Sequence, residues 1–259
     1  MITSSQNPKL KLARALLGRP RERRESQAFA AEGIRLLEEV LAADWPVRYI
    51  LYSDGLSQRG LDLVRGFKER GLEVEEVSPD LLHAFSDTET SQGIFAVLEE
   101  HSLPLPQQLD FVLILDQVRD PGNLGTLIRS AAAAGVGAVL LPPHNADAFA
   151  PKVVRSAMGA HFRLPLQIMD WDQITETISA SGLNLQLADM QGQSCWEADL
   201  RVPLALIIGG EAEGASPEAL ALDPRRLSIP MPGGIESLNA GVAGSILMFE
   251  VLRQRTPKK

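Results

Sequence analysis

The chain lacks most of the features by which a short motif declares its chemistry. It has one cysteine, Cys195, in 259 residues, so no disulfide framework can form within it and a cytoplasmic setting is expected. Its four histidines, His83, His101, His144 and His161, stand at no metal-ligand spacing, and no metal is expected. No apolar run reaches the roughly 18 residues of a membrane-spanning helix, and no apolar signal-peptide core follows a basic start. Aromatics are 5% of residues against 45% apolar overall, so aliphatic side chains must pack the core. There is no G-x-G-x-x-G opening a helix after the first strand, no G-x-x-x-x-G-K-[ST] and no G-x-S-x-G, which sets aside the standard nucleotide folds and the hydrolase elbow. Glu211 and Glu213 are two apart in a glycine-rich loop, which sets no carboxylate separation for glycoside chemistry.

Charge is present but unevenly placed. The net charge is −8. Residues 1 to 30 nevertheless hold seven basic side chains (Lys9, Lys11, Arg14, Arg19, Arg21, Arg23 and Arg24) against two acidic ones, a local surplus of five that leaves −13 for the remainder. A basic arm on an acidic body is the electrostatic footprint of a phosphate binder, and a solvated helix face is the plainer alternative.

Along the chain, helical and strand patterns alternate. Residues 8–24 read as a short basic helix and a loop, 31–43 as a helix, 47–53 as a strand, 61–71 as a helix ending on Gly71, then two strands, the second over 93–100. The Pro- and Gln-rich stretch 101–109 reads as a linker. Beyond it, FVLILDQV (111–118) is a continuous apolar strand, as expected where helices cover both faces of a parallel sheet. A helix from about Leu124 to Ala134, further strands, a helix near 172–181 and the strand RLSIPM follow. The expectation is α/β throughout, with a small domain over 1–103 and a larger one with a mostly parallel sheet over 108–257.

Three glycine-bearing loops follow three apolar strands: DPGNLGTLIR (120–129), GGEAEG (209–214) and PMPGGIESLN (230–239). In an open α/β sheet ligands bind beyond the carboxyl ends of the strands, where all three loops should lie. Asn123 stands at the mouth of a helix, a good capping position, and Arg129 falls off that helix's buried stripe. Ser237 and Asn239 are each readable as caps of the last helix, and Glu211 as the cap of a turn.

Together N-L-G-T-L-I-R, I-I-G-G-E-A-E-G and I-P-M-x-x-x-x-E-S-L-N-A-G-V-A resemble, in order and spacing, the three signature motifs of the SpoU (TrmH-like) RNA 2′-O-ribose methyltransferases of the SPOUT superfamily. SSQNPKLKLARAL and FAAEGIRLLEEVL are similar to the ribosomal-protein-like substrate domain that many members carry, so the resemblance covers nearly the whole chain. It implies a deep trefoil knot in the C-terminal domain, with the Gly/Pro-rich segment before the last helix threaded through a loop. It also implies close packing by Ala240, Gly241, Ala243, Gly244 and Ser245, and a homodimer in which the partner completes the site.

The resemblance further implies S-adenosylmethionine as cofactor, held mostly by loop backbone. Gly209, Ile229 and Leu238 match the family's binding positions, with Ile208, Gly210 and Met231 completing the pocket. Asn123, Arg129, Glu211, Ser237 and Asn239 match its polar site residues. Gly210 stands where many members have a polar residue, commonly Asn, and Ala212 where many have Gly. Arg129 is the residue implied to activate the ribose hydroxyl; a guanidinium stays protonated up to a pKa above about 12, so phosphate binding and alkoxide stabilisation suit it better than proton removal. The RNA grip is assigned to Lys9, Lys11, Arg14, Arg21, Arg23 and Arg24. Ribosomal RNA is the expected substrate. Transfer RNA, methylation of a base nitrogen, and a non-catalytic ribosome-assembly role on the same fold remain the alternatives.

Overall fold

The computed structural model describes residues 1–84, 92–211 and 214–257; Ala212 and Glu213 therefore lie outside the described residues. In chain order the elements are α1 (Pro8–Gly18), α2 (Pro20–Ser26), β1 (Ala28–Glu32), α3 (Ile34–Ala42), β2 (Val47–Tyr52), α4 (Gln58–Glu69), β3 (Val74–Glu76), α5 (Pro79–His83) and β4 (Ile94–Glu99). They continue with β5 (Phe111–Asp116), α6 (Pro121–Ala134), β6 (Ala138–Leu141), α7 (Pro151–Ala157), β7 (Leu166–Ile168), α8 (Trp171–Ser181), β8 (Asn184–Ser194), β9 (Leu204–Gly209), α9 (Pro217–Ala221), β10 (Arg225–Ser228) and α10 (Ala240–Arg255). No helix among the described residues is long and apolar enough to cross a membrane.

The chain divides into two compact units, Met1–His101 with Phe149–Phe162, and Ser102–Ala148 with Arg163–Lys259. In the first, a mixed sheet runs β1-β4-β2-β3, antiparallel except for the β2–β3 pair. The basic stretch is two helices, because Pro20 forces Arg19 into an extended conformation (φ −124°) that ends α1. Residues 31–43, whose spacing predicts one helix, divide at Gly33 (φ +105°) into the end of β1 and α3. Segment 149–162 joins this unit through α7 beside β1, with the Phe149 ring 4.9 Å from that of Phe29 and the Phe162 ring 5.1 Å from that of Trp45.

The second unit is a six-stranded sheet in the order β10-β8-β9-β5-β6-β7, every pair parallel. All six residues of β5 are buried, as its unbroken apolar run requires. Each fully buried Leu, Ile or Val contributes about 1.5–3 kcal/mol, and Val112, Ile114, Leu140, Ala205 and Ile207 form the centre of one such core. From β5 the chain moves outward to β6 and β7, then returns to the other side as β8 and β9. The loops after β5 and β9 therefore diverge, and this switch point opens a crevice at the carboxyl edge. Strand β10 lies at the far edge, yet α10 packs on α6 beside β5. Residues 229–239 therefore cross back over the carboxyl ends of the strands. The approach of α10 is close: a Cβ on Gly244 would lie 2.3 Å from Leu127 Cδ2 and 3.2 Å from Ile208 Cγ1.

Candidate active site

Helix α6 begins at the crevice. Its cap is Asp120 rather than Asn123: the Asp120 carboxylate accepts the Asn123 N–H at 2.8 Å and Pro121 fills the first helical position. With the cap supplied three residues earlier, the Asn123 side chain is left to reach across the crevice. Its Nδ2 donates to Glu211 Oε1 at 2.5 Å. Asn239 Nδ2 donates to the same Glu211 oxygen at 2.6 Å and to Asn123 Oδ1 at 3.0 Å. Asn239 is also the cap of α10, its Oδ1 accepting the Val242 N–H at 3.2 Å. One carboxylate oxygen thus gathers two amides, and the three loops meet on it. These are charge-assisted hydrogen bonds, individually worth about 1.5–3 kcal/mol when shielded from water.

Beside this network runs a cleft of about 570 Å³, within the ~300–1,000 Å³ range of small-ligand sites. Its wall includes all six residues expected at the cofactor, Ile208, Gly209, Gly210, Ile229, Met231 and Leu238, together with Glu211, Ser237 and Asn239. Ser237 caps no helix and is exposed on that wall. The sequence did not single out Asp189, Met190 and Arg226, which also line the cleft. The register between β8 and β10 jumps from Leu187 to Gln193, leaving 188–192 without partners on β10. That irregularity brings Asp189 and Met190 to the cleft, and Arg226 Nη1 pairs with Asp189 Oδ2 at 2.9 Å. Period-2 patterning has no signal for such a break.

A smaller cavity of about 130 Å³ lies on the other side of the network, lined by Gln117, Val118, Arg119, Asp120, Asn123, Gly210, Glu211 and Ala240. The second loop is pinned between the two cavities by paired backbone hydrogen bonds, Gly210 N–H to Gly214 O and Gly214 N–H to Gly210 O, both 3.0 Å. Its base is tied to β5: buried Asp116 Oδ2 accepts the Ser216 N–H at 2.6 Å, and Ser216 in turn caps α9. Burial pushes the Asp116 carboxyl above its ordinary pKa, against the lowering effect of the Ser216 hydrogen bonds.

Arg129 is exposed on α6 and is not among the described residues that line either cavity. The basic arm is also only partly available. Arg23 is 4% exposed, its Nη1 donating to Leu16 O at 2.5 Å at the end of α1. Lys9 is paired with Glu73 and Glu75. Both side chains are thus engaged within the first unit. Lys11, Arg14, Arg21 and Arg24 are exposed, Arg21 in an i,i+4 pair with Glu25.

Comparison with known proteins follows the same division. A model of the SpoU rRNA methylase family matches residues 110–249, and one of the MRM3-like substrate binding domain matches residues 7–96. The chain is 36% identical over 253 residues, covering 96% of itself and 98% of the relative, to the 23S rRNA (guanosine(2553)-2′-O)-methyltransferase RlmP of Bacillus subtilis. It is 33% identical over 270 residues (97% and 92% covered) to the 23S rRNA (uridine(2479)-2′-O)-methyltransferase of Streptomyces viridochromogenes. Its fold matches the AdoMet-bound crystal structure of an rRNA methyltransferase from Sinorhizobium meliloti with a TM-score of 0.87 at 30% identity, covering 99% and 98% of the two chains.

Proposed function

The chain belongs to the SpoU rRNA methylase family, and from that membership we infer that it is an S-adenosylmethionine-dependent enzyme that methylates a ribose 2′-hydroxyl of ribosomal RNA. The observation that carries the reading is the convergence of Asn123 and Asn239 on Glu211 at the edge of a ligand-sized cleft.

The residues present suit this cofactor. Ile208, Ile229, Met231 and Leu238 offer apolar surface to its adenosyl and thioether parts, the backbone of Gly209 and Gly210 offers hydrogen bonds, and the carboxylates of Glu211 and Asp189 suit a cationic ligand. When bound, S-adenosylmethionine supplies an activated methyl carbon on a sulfonium. What the protein must add is alignment of the acceptor oxygen and relief of the charge that develops on it. Glu211 fixes the loops; Asn123, Ser237 and Asn239 orient the sugar; Arg129 stabilises the developing alkoxide.

In this reading Arg129, which lines neither cavity of its own chain, is supplied to the site by a second copy, and the active species is a homodimer. Supporting this, Val242, Ile246 and Phe249 are 47%, 38% and 46% exposed along one stripe of α10, whose opposite face is buried. In this reading residues 1–103 hold RNA through Lys11, Arg14, Arg21 and Arg24 by phosphate contacts, and 108–257 carry out the transfer, with Phe149–Phe162 lent to the former. The crossing of residues 229–239 over the strand ends supports a knotted path. The cytoplasm is where such an enzyme meets its substrate.

The test uses methyl-labelled cofactor with separate pools of ribosomal RNA, ribosomal subunits and transfer RNA from a strain lacking the gene, followed by alkaline hydrolysis. Label in an alkali-resistant dinucleotide from ribosomal RNA is the expected result. Label in mononucleotides would mean base methylation, label in the transfer-RNA pool alone would move the substrate, and cofactor binding without label in any pool would favour an assembly role.

A further inference from the structure

We propose that Asp189 accepts the two ribose hydroxyls of the cofactor's adenosine and that Arg226 is the residue that positions it; this rests on the cofactor reading above. The two sides of the cleft differ in character. Glu211 and Asn239 stand toward β5, with Asn123 bonded to both, and that is where the methyl group leaves for its acceptor. On the opposite side the wall includes Leu187 from β8, Leu227 from β10 and Ile229 just beyond it. A flat base buries well against such side chains, whereas the charged amino-acid tail would lose its hydration there. The adenosine therefore lies toward β8 and β10.

Among the described residues of the wall, Glu211 and Asp189 are the carboxylates. Glu211 is committed to the loops, one of its oxygens accepting from two amides. Asp189 has acceptor capacity to spare. The Gln191 N–H donates to its Oδ1 at 2.8 Å, and Arg226 Nη1 donates to its Oδ2 at 2.9 Å. An ionised carboxylate offers about four acceptor sites, so each oxygen keeps one. Adjacent hydroxyls on a ribose present the two donors that match them. A carboxylate near a strand end is also how dinucleotide-binding α/β sheets hold a ribose hydroxyl.

The methionine end of the cofactor is a poorer match. Its ammonium would meet a carboxylate whose charge Arg226 already balances. The side chains of that pair are 24% and 49% exposed, so water screens what attraction is left. Hydroxyl donors need no net charge on the pair, and they gain from an acceptor held still by two other bonds.

The local backbone is specific to this arrangement. Arg226 and Leu227, consecutive on β10, pair with Leu187 and Gln193 of β8, so residues 188–192 leave the ladder and return to it. At the return the strands press together. A Cβ on residue 192 would lie 2.4 Å from Arg226 C and from Leu227 N, and Ser228 Oγ donates to Gly192 O at 2.9 Å. Glycine at 192 thus lets β8 close back against β10, and the excursion it closes carries Asp189 to the cleft within reach of Arg226.

The experiment titrates three ligands into the full-length protein by calorimetry: S-adenosylhomocysteine, methylthioadenosine, and the 2′,3′-dideoxy form of methylthioadenosine. Methylthioadenosine has neither the amino acid nor a sulfonium charge, so its affinity reports on the adenosine alone. The wild-type protein is expected to prefer it to the dideoxy form by about tenfold or more. In Asp189→Ala that preference disappears, and S-adenosylhomocysteine and methylthioadenosine weaken by the same factor. Asp189→Asn keeps part of the preference, because an amide oxygen still accepts. Arg226→Ala weakens binding less than Asp189→Ala, and adding it to Asp189→Ala lowers affinity no further, as expected of a residue that acts through Asp189. Circular dichroism checks that each variant is folded. A preference for the diol that survives in Asp189→Ala would overturn the proposal. So would a loss confined to S-adenosylhomocysteine, which would give the carboxylate to the methionine ammonium. Failure of the wild-type protein to bind S-adenosylhomocysteine at all would instead sink the cofactor reading, and this assignment with it.

Discussion

Asn123 Nδ2 lies 2.5 Å from Glu211 Oε1, 88 residues apart in sequence, and this contact ties the first loop to the second at the strand ends. The third loop joins through Asn239 on the same oxygen. Removing the carboxylate leaves two amides without their acceptor. Glu211→Ala is expected to lower kcat/KM about a hundredfold, ~2.7 kcal/mol of lost transition-state stabilisation, while Glu211→Gln, which keeps an oxygen but no charge, falls between. Label-transfer kinetics on both variants would check this; wild-type activity in Glu211→Gln would show that charge plays no part.

If Arg129 serves the partner's site, defects can complement each other. Arg129→Ala and Asn239→Ala should each be inactive alone. Mixed in equal amounts and allowed to exchange subunits, they should recover about a quarter of wild-type activity, since half the dimers are mixed and each of these holds one intact site. No recovery, with subunit exchange confirmed by tagged chains, would place Arg129 in its own chain's site.

Phe249→Asp puts a charge at the C-terminal end of the exposed α10 stripe. Sedimentation should show the wild-type protein as a dimer and the variant as a monomer that keeps its helical content. A variant that stays dimeric would assign that stripe to something else.

The closeness of α10 to α6 is itself testable. Gly244→Ala places a methyl 2.3 Å from Leu127 Cδ2 and 3.2 Å from Ile208 Cγ1, both side chains fully or nearly fully buried. Overpacking of this kind costs about 1–3 kcal/mol. A lower denaturation midpoint with an unchanged denaturant slope is expected.

Asp116 gives a pH dependence of defined sign. Its folded pKa is raised above the ordinary 3.8 by burial, with Glu218 adding to the rise and His144 and Ser216 opposing it. The neutral carboxyl is therefore favoured in the fold, and its contribution, complete below the unfolded pKa, is lost as pH rises through the folded one. Asp116→Asn cannot ionise but can still accept from Ser216. The stability of Asp116→Asn relative to wild type should increase as pH rises from about 4 and then level off. A difference independent of pH would refute the buried-charge account.

The parallel sheet was legible because β5 and β9 are unbroken apolar runs buried on both faces, and the first two loops were legible because each follows such a run; β10, ahead of the third, is Arg-Arg-Leu-Ser with both arginines exposed. Short strands were not: β7 has three residues and β1 is mostly alanine, too little pattern to read. The orientation of Arg23 was hidden because its partner, Leu16 O, comes within reach only after the break at Arg19 turns α2 back. Arg129 was placed correctly off the buried stripe of α6, but helical spacing says nothing about which chain's cavity it serves. The Asp116–Ser216 tie spans 100 residues, and no local periodicity encodes it.

The loan of Phe149–Phe162 to the first unit bears on the order in which the protein can be made. A ribosome releases the chain from the N-terminus, and by His101 the first sheet is complete in sequence. Phe29, fully buried in the finished unit, still lacks the ring of Phe149, and Trp45 that of Phe162. Those arrive only after β5, α6 and β6 have been synthesised, roughly 60 residues and 3–12 s later at ~5–20 residues per second. Until then the nascent first unit presents an open aromatic seam to solvent. The protein is thus assembled out of sequence, its first part sealed by a segment drawn from the middle of its second.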